Sequence, residues 1–168
     1  VPTPTTTPTP TNTPPPPANS PSGAYAHQHG VSSIAISPDG LILISADSYN
    51  GSIKLWSLPD GALIKTIEEH KYGVTSIAVS LDGMFLASAS LDKTIKLWSL
   101  PDGELLNTLE GHTEHILSVA INPDNTLLVS ASDDKTIKLW SLPDGTILNT
   151  IEESAIQSIT MSPDGTFF

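Results

Sequence analysis

The heptapeptide Leu-Trp-Ser-Leu-Pro-Asp-Gly occurs three times without change, at residues 55–61, 97–103 and 139–145. Its tryptophan therefore recurs every 42 residues. A fixed period of this length indicates an array of small structural units that share one framework. In such an array, the positions that differ between copies are the ones expected to carry specificity.

One repeat predicts four short strands joined by turns, with no room for a helix. Asp82-Gly83 and Pro101-Asp102-Gly103 are turn signals, because Pro fixes φ and Gly accepts a positive φ. The predicted strands are Val74–Val79, Met84–Ala89, Thr94–Leu100 and Glu104–Leu109. A single four-stranded meander exposes both faces, and stacking copies around an axis buries them. We therefore predict an all-β chain, a β-propeller of four-stranded antiparallel blades.

The composition of the 168 residues argues against several classes of partner. The net charge is −11, and every strong positive charge is a lysine. Phosphate-binding surfaces use clustered Arg and Lys, so we expect no nucleic acid and no direct membrane contact. The absence of Cys excludes disulfides, thiolate metal sites and a Cys nucleophile.

Residues 1–23 differ in composition from the rest, because they are almost entirely Pro, Thr and small residues. We predict a disordered, polyproline-II-rich linker there, and a propeller segment over residues 24–168. A ligand for a proline-binding module and an O-glycosylated stalk are the alternatives. Because the chain starts at Val1 and not at Met, we expect a mature product or an excised piece, and the Pro/Thr tract implies that another segment lies upstream. The Thr/Pro tether favours the outside of a bacterial cell.

Gly111-His112, followed by Asp134-Lys135-Thr136-Ile137-Lys138-Leu139-Trp140, resembles the tryptophan–aspartate (WD) repeat family. The resemblance extends from about Ala26 to Phe168, with repeats near 27–67, 70–109 and 112–151 and a partial one at 154–168. Each Trp is followed by Ser where the family name implies Asp. Many members of the family depart at this position, so the expected fold is unchanged.

The resemblance implies a hydrogen-bonded tetrad of His, Ser, Asp and Trp in each repeat, and a connected network would satisfy polar groups that are costly to bury alone. The matching residues are His70, Ser88, Asp92 and Trp98, then His112, Ser130, Asp134 and Trp140, and in part His27, Ser45, Asn50 and Trp56. Asn50 lacks the charge of Asp, so we expect the first tetrad to be looser. In the fourth repeat the His is replaced.

A His, a Ser and an Asp close together also suggest a catalytic triad. The same set recurs in every repeat and includes a Trp, so a structural network explains all its members better. We therefore predict no catalytic residues, no enzymatic activity and no cofactor. His27, His29 and His70 could be imagined as a metal cluster, but two of them occupy tetrad positions, so we predict no metal site.

In the family, the residues just before the turn Asp and just after Gly-His lie on one face of the ring. Here these candidate partner-binding residues are His29, Tyr49, Tyr72, Leu91, Glu114, His115 and Asp133. They differ between copies, and aromatic and His side chains suit a protein or peptide ligand. Ordinary variation of loops is the alternative explanation.

The last repeat is incomplete, with a predicted strand at Ile156–Met161 and the start of another. The chain would then hold 14 strands, about three and a half blades. Propellers close with about four to eight blades. We expect the missing blades to come from a longer chain of which this is a fragment, or alternatively from a second copy.

These features together predict a non-enzymatic protein-interaction scaffold that binds a protein or peptide through its loop face. The alternative is a sensory or regulatory domain that residues 1–23 tether to a larger enzyme, such as a bacterial Ser/Thr kinase.

Overall fold

A computed structural model describes residues 27–154 and 156–162, in which twelve strands form three antiparallel sheets. The strands are β1 (Val31–Ile36), β2 (Ile42–Asp47), β3 (Ile53–Ser57), β4 (Leu63–Ile67), β5 (Val74–Val79), β6 (Phe85–Ser90), β7 (Thr94–Ser99), β8 (Leu105–Glu110), β9 (Ile116–Ile121), β10 (Leu127–Ser132), β11 (Thr136–Ser141) and β12 (Ile147–Glu152). Nowhere in these two ranges is there a helix long and apolar enough to cross a membrane. The predicted linker, residues 1–23, lies outside the described residues.

Each sheet is a meander of four strands that follow one another in the chain. We name the sheets blade I (β1–β4), blade II (β5–β8) and blade III (β9–β12). The all-β propeller architecture predicted from the period is therefore confirmed. The Pro-Asp-Gly turn also forms as expected, because Gly103 has a φ of +63°, in the region that favours Gly.

The third strand of a blade sends alternate side chains into two different cores. In β7, Ile95 and Leu97 pack in a cluster shared with blade III, whereas Trp98 packs in a cluster shared with blade I. All three side chains are almost completely buried. The period-two geometry of a strand thus joins three sheets through one short sequence.

Blade I lacks a neighbour on one face within the described chain. Ile36, Leu43 and Trp56 form a row across its strands, and Ile36 is 57% exposed. The corresponding row of blade II contains Trp98, which is buried against blade I. The described part of the chain is therefore an open arc of three blades.

The prediction of a strand at Ile156–Met161 is wrong, because residues 156–162 form no strand. The amide of Ile159 donates to Ser118 Oγ (3.0 Å), much as the amide of Val119 donates to Ser76 Oγ (3.3 Å). The segment thus lies beside β9, where the inner strand of a fourth blade would be. Without a ladder of hydrogen bonds it is not a strand, and the described residues contain twelve strands. The start of the next strand, predicted before Phe168, lies outside the described residues.

Candidate functional site

Blade II contains a buried chain of hydrogen bonds that ends at a carboxylate. Trp98 Nε1 donates to Ser88 Oγ (2.8 Å), Ser88 Oγ lies 2.7 Å from His70 Nε2, and His70 Nδ1 lies 2.8 Å from Asp92 Oδ2. Because Ser88 Oγ accepts a hydrogen bond from the indole, its hydroxyl proton can be donated in a hydrogen bond to His70 Nε2. The Nδ1–H group of His70 then donates to Asp92 Oδ2, and this hydrogen bond fixes the orientation of the ring.

Blade III repeats this geometry closely. Trp140 Nε1 donates to Ser130 Oγ (2.8 Å), which lies 2.7 Å from His112 Nε2. His112 Nδ1 lies 2.8 Å from Asp134 Oδ2. The 42-residue period therefore brings both sets of four predicted residues together in the same arrangement.

A threonine two residues after each Asp is a fifth member that the sequence prediction missed. Thr94 donates to Asp92 Oδ1 through its hydroxyl (2.6 Å) and its amide (3.0 Å). The hydroxyl of Thr136 donates to Asp134 Oδ1 in the same way (2.6 Å). The recurring Asp-Lys-Thr sequence was the signal that could have identified it.

The network keeps its carboxylates ionised. Burial opposes ionisation of Asp92, yet the hydrogen bonds from His70 and Thr94 hold its pKa well below the usual 3.8. For Asp134, burial is likewise outweighed by its hydrogen bonds, and the pKa falls to about 2. Burial lowers the pKa of His112 below 6.5, although Asp134 partly opposes this shift. In blade III, neutral His112 beside ionised Asp134 is thus the favoured state.

In blade I, the position beside His27 that was predicted for Asn50 is occupied by a carboxylate from another residue. His27 Nε2 lies 2.8 Å from Ser45 Oγ, and Trp56 Nε1 donates to the same oxygen (2.8 Å). The acid next to His27 is Asp47, with Oδ2 at 3.4 Å from Nδ1, and it replaces Asn50 in the predicted tetrad. Between Asp47 and Trp56 the chain is one residue longer than over the corresponding stretch of blade II. This extra residue lets Asp47, at the end of β2, take the place that the turn aspartate has in blade II.

Asn50 keeps only the local part of the role of Asp92. Its Oδ1 accepts the amide of Ser52 (3.0 Å), which closes the turn. Asp47 Oδ1 accepts the amides of Tyr49 (2.8 Å) and Asn50 (3.0 Å). Asp47 Oδ2 is buried and has no hydrogen-bond partner within the described residues. The first network is therefore incompletely satisfied.

The His–Ser–Asp sets are poorly placed for catalysis. Ser88 and Ser130 are both 0% exposed, so a substrate could not reach either hydroxyl. Each hydroxyl also accepts a hydrogen bond from a tryptophan. In the residues described, no group of three or more His, Cys, Asp or Glu is arranged to hold a metal ion.

Four of the seven predicted contact residues line one cavity of about 620 Å³. We call it the loop-face groove, and its lining residues are Tyr49, Asn50, Lys71, Tyr72, Gly73, Leu91 and His115. Loops of blades I and II and the loop before β9 contribute to it. Two tyrosine side chains stand out from its walls, with Tyr49 70% and Tyr72 61% exposed.

The other three predicted contact residues lie around this groove or beyond it. The ring of His29 packs on Tyr49, with 4.7 Å between the centroids. Glu114 is ion-paired with Lys93 (3.4 Å). Asp133 lines a separate cavity of about 530 Å³, bordered by residues of β1 and β5. The structure therefore does not gather all seven into one site.

The floor of the groove is held by backbone contacts between loops. The amide of Leu91 donates to the carbonyl of Gly73 (3.0 Å), and His115 Nδ1 donates to the carbonyl of Leu91 (2.7 Å). A Cβ at Gly73 would lie 2.0 Å from the carbonyl oxygen of Ser48. Only glycine permits this approach, so the spacing of the two tyrosine loops is fixed by the framework.

A family model described as "WD domain, G-beta repeat" matches residues 20–57, 61–99 and 103–141, which is more than half of the chain. The chain belongs to this WD40 repeat family. Each match ends on the strand that carries the tryptophan, so the family repeat is offset by one strand from the structural blade. WD40 propellers are generally interaction scaffolds without catalytic activity.

Solved structures of WD40 proteins share this fold. The WD40 repeats of RRP9 align with a TM-score of 0.75 at 25% identity, covering 80% of this chain and 43% of that one. The structure of U3-55K aligns with the same TM-score and identity, covering 80% of this chain and 44% of that one. The chain thus spans less than half the length of either protein. No curated protein matches it.

Proposed function

We propose that this WD40 segment binds a protein or peptide partner through the loop-face groove. The observation that supports this proposal is the convergence of Tyr49, Tyr72, Leu91 and His115 on one cavity of about 620 Å³. These positions differ between repeats, whereas the tetrads behind them repeat. A constant framework that presents variable side chains is the arrangement expected of a recognition surface.

The chemistry of the groove suits a polypeptide. Exposed tyrosines provide large contact areas at little cost in conformational entropy, and they are enriched among the residues that dominate binding energy. Leu91 adds an apolar wall, and Lys71 adds a single cation at the rim. The net charge of −11 is unfavourable for nucleic acid, so it supports a protein partner.

Site-specific photo-crosslinking tests this proposal. A benzophenone amino acid is placed at Tyr49 or at Tyr72, and the matched control is placed at Met84, which is 67% exposed in the turn at the other end of blade II. We expect a partner that crosslinks from both tyrosine positions and not from Met84. Its binding to the full chain, measured by calorimetry, should weaken at least tenfold with Tyr72→Ala and remain unchanged with Met84→Ala.

A partner that crosslinks equally from Met84, or whose affinity is insensitive to Tyr72→Ala, would place recognition elsewhere on the arc. Tyr72 and Met84 are both largely exposed, so neither substitution removes a core contact. Loss of folding is therefore not a competing explanation for a difference between them.

A further inference from the structure

The described chain contains two interfaces between blades, and both join the same pair of surfaces. We call the surface that a blade turns towards the next blade in the chain its forward face, and the opposite surface its backward face. The forward face of blade I meets the backward face of blade II in the cluster that contains Ile67 and Trp98. The forward face of blade II meets the backward face of blade III in the cluster that contains Leu109 and Trp140. One type of interface is therefore formed twice, at positions 42 residues apart.

The backward face of blade I carries the same kind of apolar set as those of blades II and III, but no described residues pack over it. Its residues are Ile34, Ile36, Leu43 and Trp56, which match Ile77, Val79, Leu86 and Trp98 of blade II and Val119, Ile121, Leu128 and Trp140 of blade III. Ile34 is 66% exposed, whereas Ile77 is 8% and Val119 is 4% exposed. This face thus has the composition of a buried interface and lacks its counterpart.

The forward face of blade III is also incompletely covered within the described chain. Its residues Val129, Ala131, Ile137, Leu139 and Ile151 match Ile44, Ala46, Ile53, Leu55 and Ile67 of blade I. Ile151 is 37% exposed, whereas Ile67 is 4% and Leu109 is 2% exposed. The two ends of the arc therefore carry the two halves of an interface that the chain already forms twice.

The turn glycines of the repeated heptapeptide indicate the same missing contact. A Cβ at Gly103 would lie 3.0 Å from Ile67 Cδ1, and one at Gly145 would lie 2.9 Å from Leu109 Cγ, because each turn packs on the preceding blade. A Cβ at Gly61, in the identical turn of blade I, would meet nothing within 4 Å. Gly61 therefore lacks the branched side chain that a forward face supplies to the other two turns.

We propose that two copies of this chain associate head to tail, with the backward face of blade I in each copy packed on the forward face of blade III in the other. Each copy offers both faces, so two such contacts close a ring with two-fold symmetry. Two copies of three blades give a ring of six, within the range of about four to eight blades at which propellers close. The burial of apolar surface at both contacts stabilises the ring.

Residues 156–162 lie where the inner strand of the second copy would pack. The amide of Ile159 donates to Ser118 Oγ (3.0 Å), as the corresponding amides and serines do at both interfaces within the chain. In the ring, the amide of Ile34 in the second copy takes the place of the Ile159 amide. Because residues 156–162 form no strand, their displacement breaks no ladder of hydrogen bonds.

Sedimentation velocity of the full chain over a range of concentrations tests this proposal. We expect a concentration-dependent species of about 35 kDa, twice the 17.7 kDa of one chain. Ile34→Asp and Ile151→Asp each place a charge in the proposed contact, and each should weaken association at least about tenfold. The matched control is Leu106→Asp, at a 56% exposed position of the middle blade, and it should leave association unchanged. Because Ile34 is as exposed as Leu106, loss of folding does not explain a difference between these two variants.

Mixing the two variants distinguishes the head-to-tail contact from other modes of association. Ile34→Asp and Ile151→Asp chains together retain one unaltered pair of faces, so the mixture should associate more tightly than either variant alone. If two copies of blade I packed on each other instead, Ile151→Asp would not weaken association. That result, a chain that stays monomeric, equal weakening by Leu106→Asp, or a mixture no tighter than the separate variants would each overturn the proposal. None of these results involves the loop-face groove, so this proposal and the proposed function fail independently.

Discussion

The carboxylate of Asp47 lies 3.4 Å from Nδ1 of His27, in the place that Asp92 takes beside His70 in the next blade. Asp47 belongs to β2, whereas Asp92 belongs to the turn that follows β6. Blade I therefore supplies its acid from the strand. The substitution is imperfect, because Asp47 Oδ2 has no hydrogen-bond partner within the described residues.

A double-mutant cycle at Asp47 and Asn50 should show a reversal of sign. Asn50→Asp alone places a second carboxylate beside a buried one, and we expect it to lower the free energy of unfolding by about 1–2 kcal/mol. In the Asp47→Ser background, Asn50→Asp rebuilds the arrangement of Ser90 and Asp92 and should be neutral or stabilising. Urea unfolding of the four chains measures an interaction energy of at least about 1 kcal/mol.

The control for this cycle is Asn149→Asp, an exposed position on β12 far from His27. It should change stability by less than about 0.5 kcal/mol, equally with Asp47 and with Ser at position 47. Additive effects of Asn50→Asp and Asp47→Ser would mean that position 50 does not approach the first network.

The sequence was sufficient to predict the networks of blades II and III, because the 42-residue period fixes the spacing of their residues along the chain. Once Trp98 and Trp140 are aligned, every other member of their tetrads lies at a constant distance along the chain. In blade I the inserted residue removes this constraint. Which of Asp47 and Asn50 turns towards His27 then depends on the path of the loop, and spacing alone does not determine that path.

The groove was harder to predict because it lies between blades. Sequence places Tyr49, Tyr72, Leu91 and Asp133 on one face, but only the rotation between sheets decides which of them share a cavity. Tyr49 and Tyr72 line the same cavity because Gly73 packs against the backbone of Ser48. Asp133 lines a different cavity, one that the inner strands border. Such distances follow from packing, not from the repeat pattern.

Ser88→Ala should destabilise the chain more than its size suggests. Ser88 is completely buried, and its hydroxyl joins Trp98 Nε1 to His70 Nε2. Removing it leaves two buried polar groups without partners, so we expect a loss of about 2–4 kcal/mol in the free energy of unfolding. Ser99→Ala is the control, since its half-buried hydroxyl accepts one long hydrogen bond of 3.2 Å from the amide of Glu104. Equal losses in urea unfolding would contradict the network.

Gly51→Ala and Gly40→Ala separate backbone strain from steric conflict. Gly51 and Gly40 have nearly the same φ, +76° and +74°, so both alanine variants adopt a left-handed conformation that costs about 1–2 kcal/mol. A Cβ at Gly51 would lie 2.5 Å from the carbonyl oxygen of Tyr72, whereas nothing lies within 4 Å of one at Gly40. We therefore expect Gly51→Ala to be the more destabilising in thermal unfolding. Similar melting temperatures of the two variants would show that the loop containing Tyr72 moves away from the added Cβ without a measurable loss of stability.

Acidification should destabilise the chain in two steps with the same sign. Burial lowers the pKa of His27 and His112 below 6.5 in the folded state, so protons bind the unfolded chain more tightly. Their contribution to stability is complete above pH 6.5 and is lost as the pH falls through the folded pKa. The depressed pKa values of Asp92 and Asp134 act below pH 3.8. The contribution of Asp134 is lost as the pH falls through about 2, and the contribution of Asp92 persists to lower pH.

Thermal melting between about pH 8 and about pH 2 covers both steps, since stability changes with pH wherever the two states bind different numbers of protons. His112→Asn removes one titrating group and should flatten the dependence of stability on pH below pH 6.5. The variant will itself be less stable, so the slope with pH and not the melting temperature is the quantity to compare. A melting temperature that rises on acidification would mean that these histidines are protonated in the folded chain, and that the carboxylates of Asp47 and Asp134 then dominate over burial.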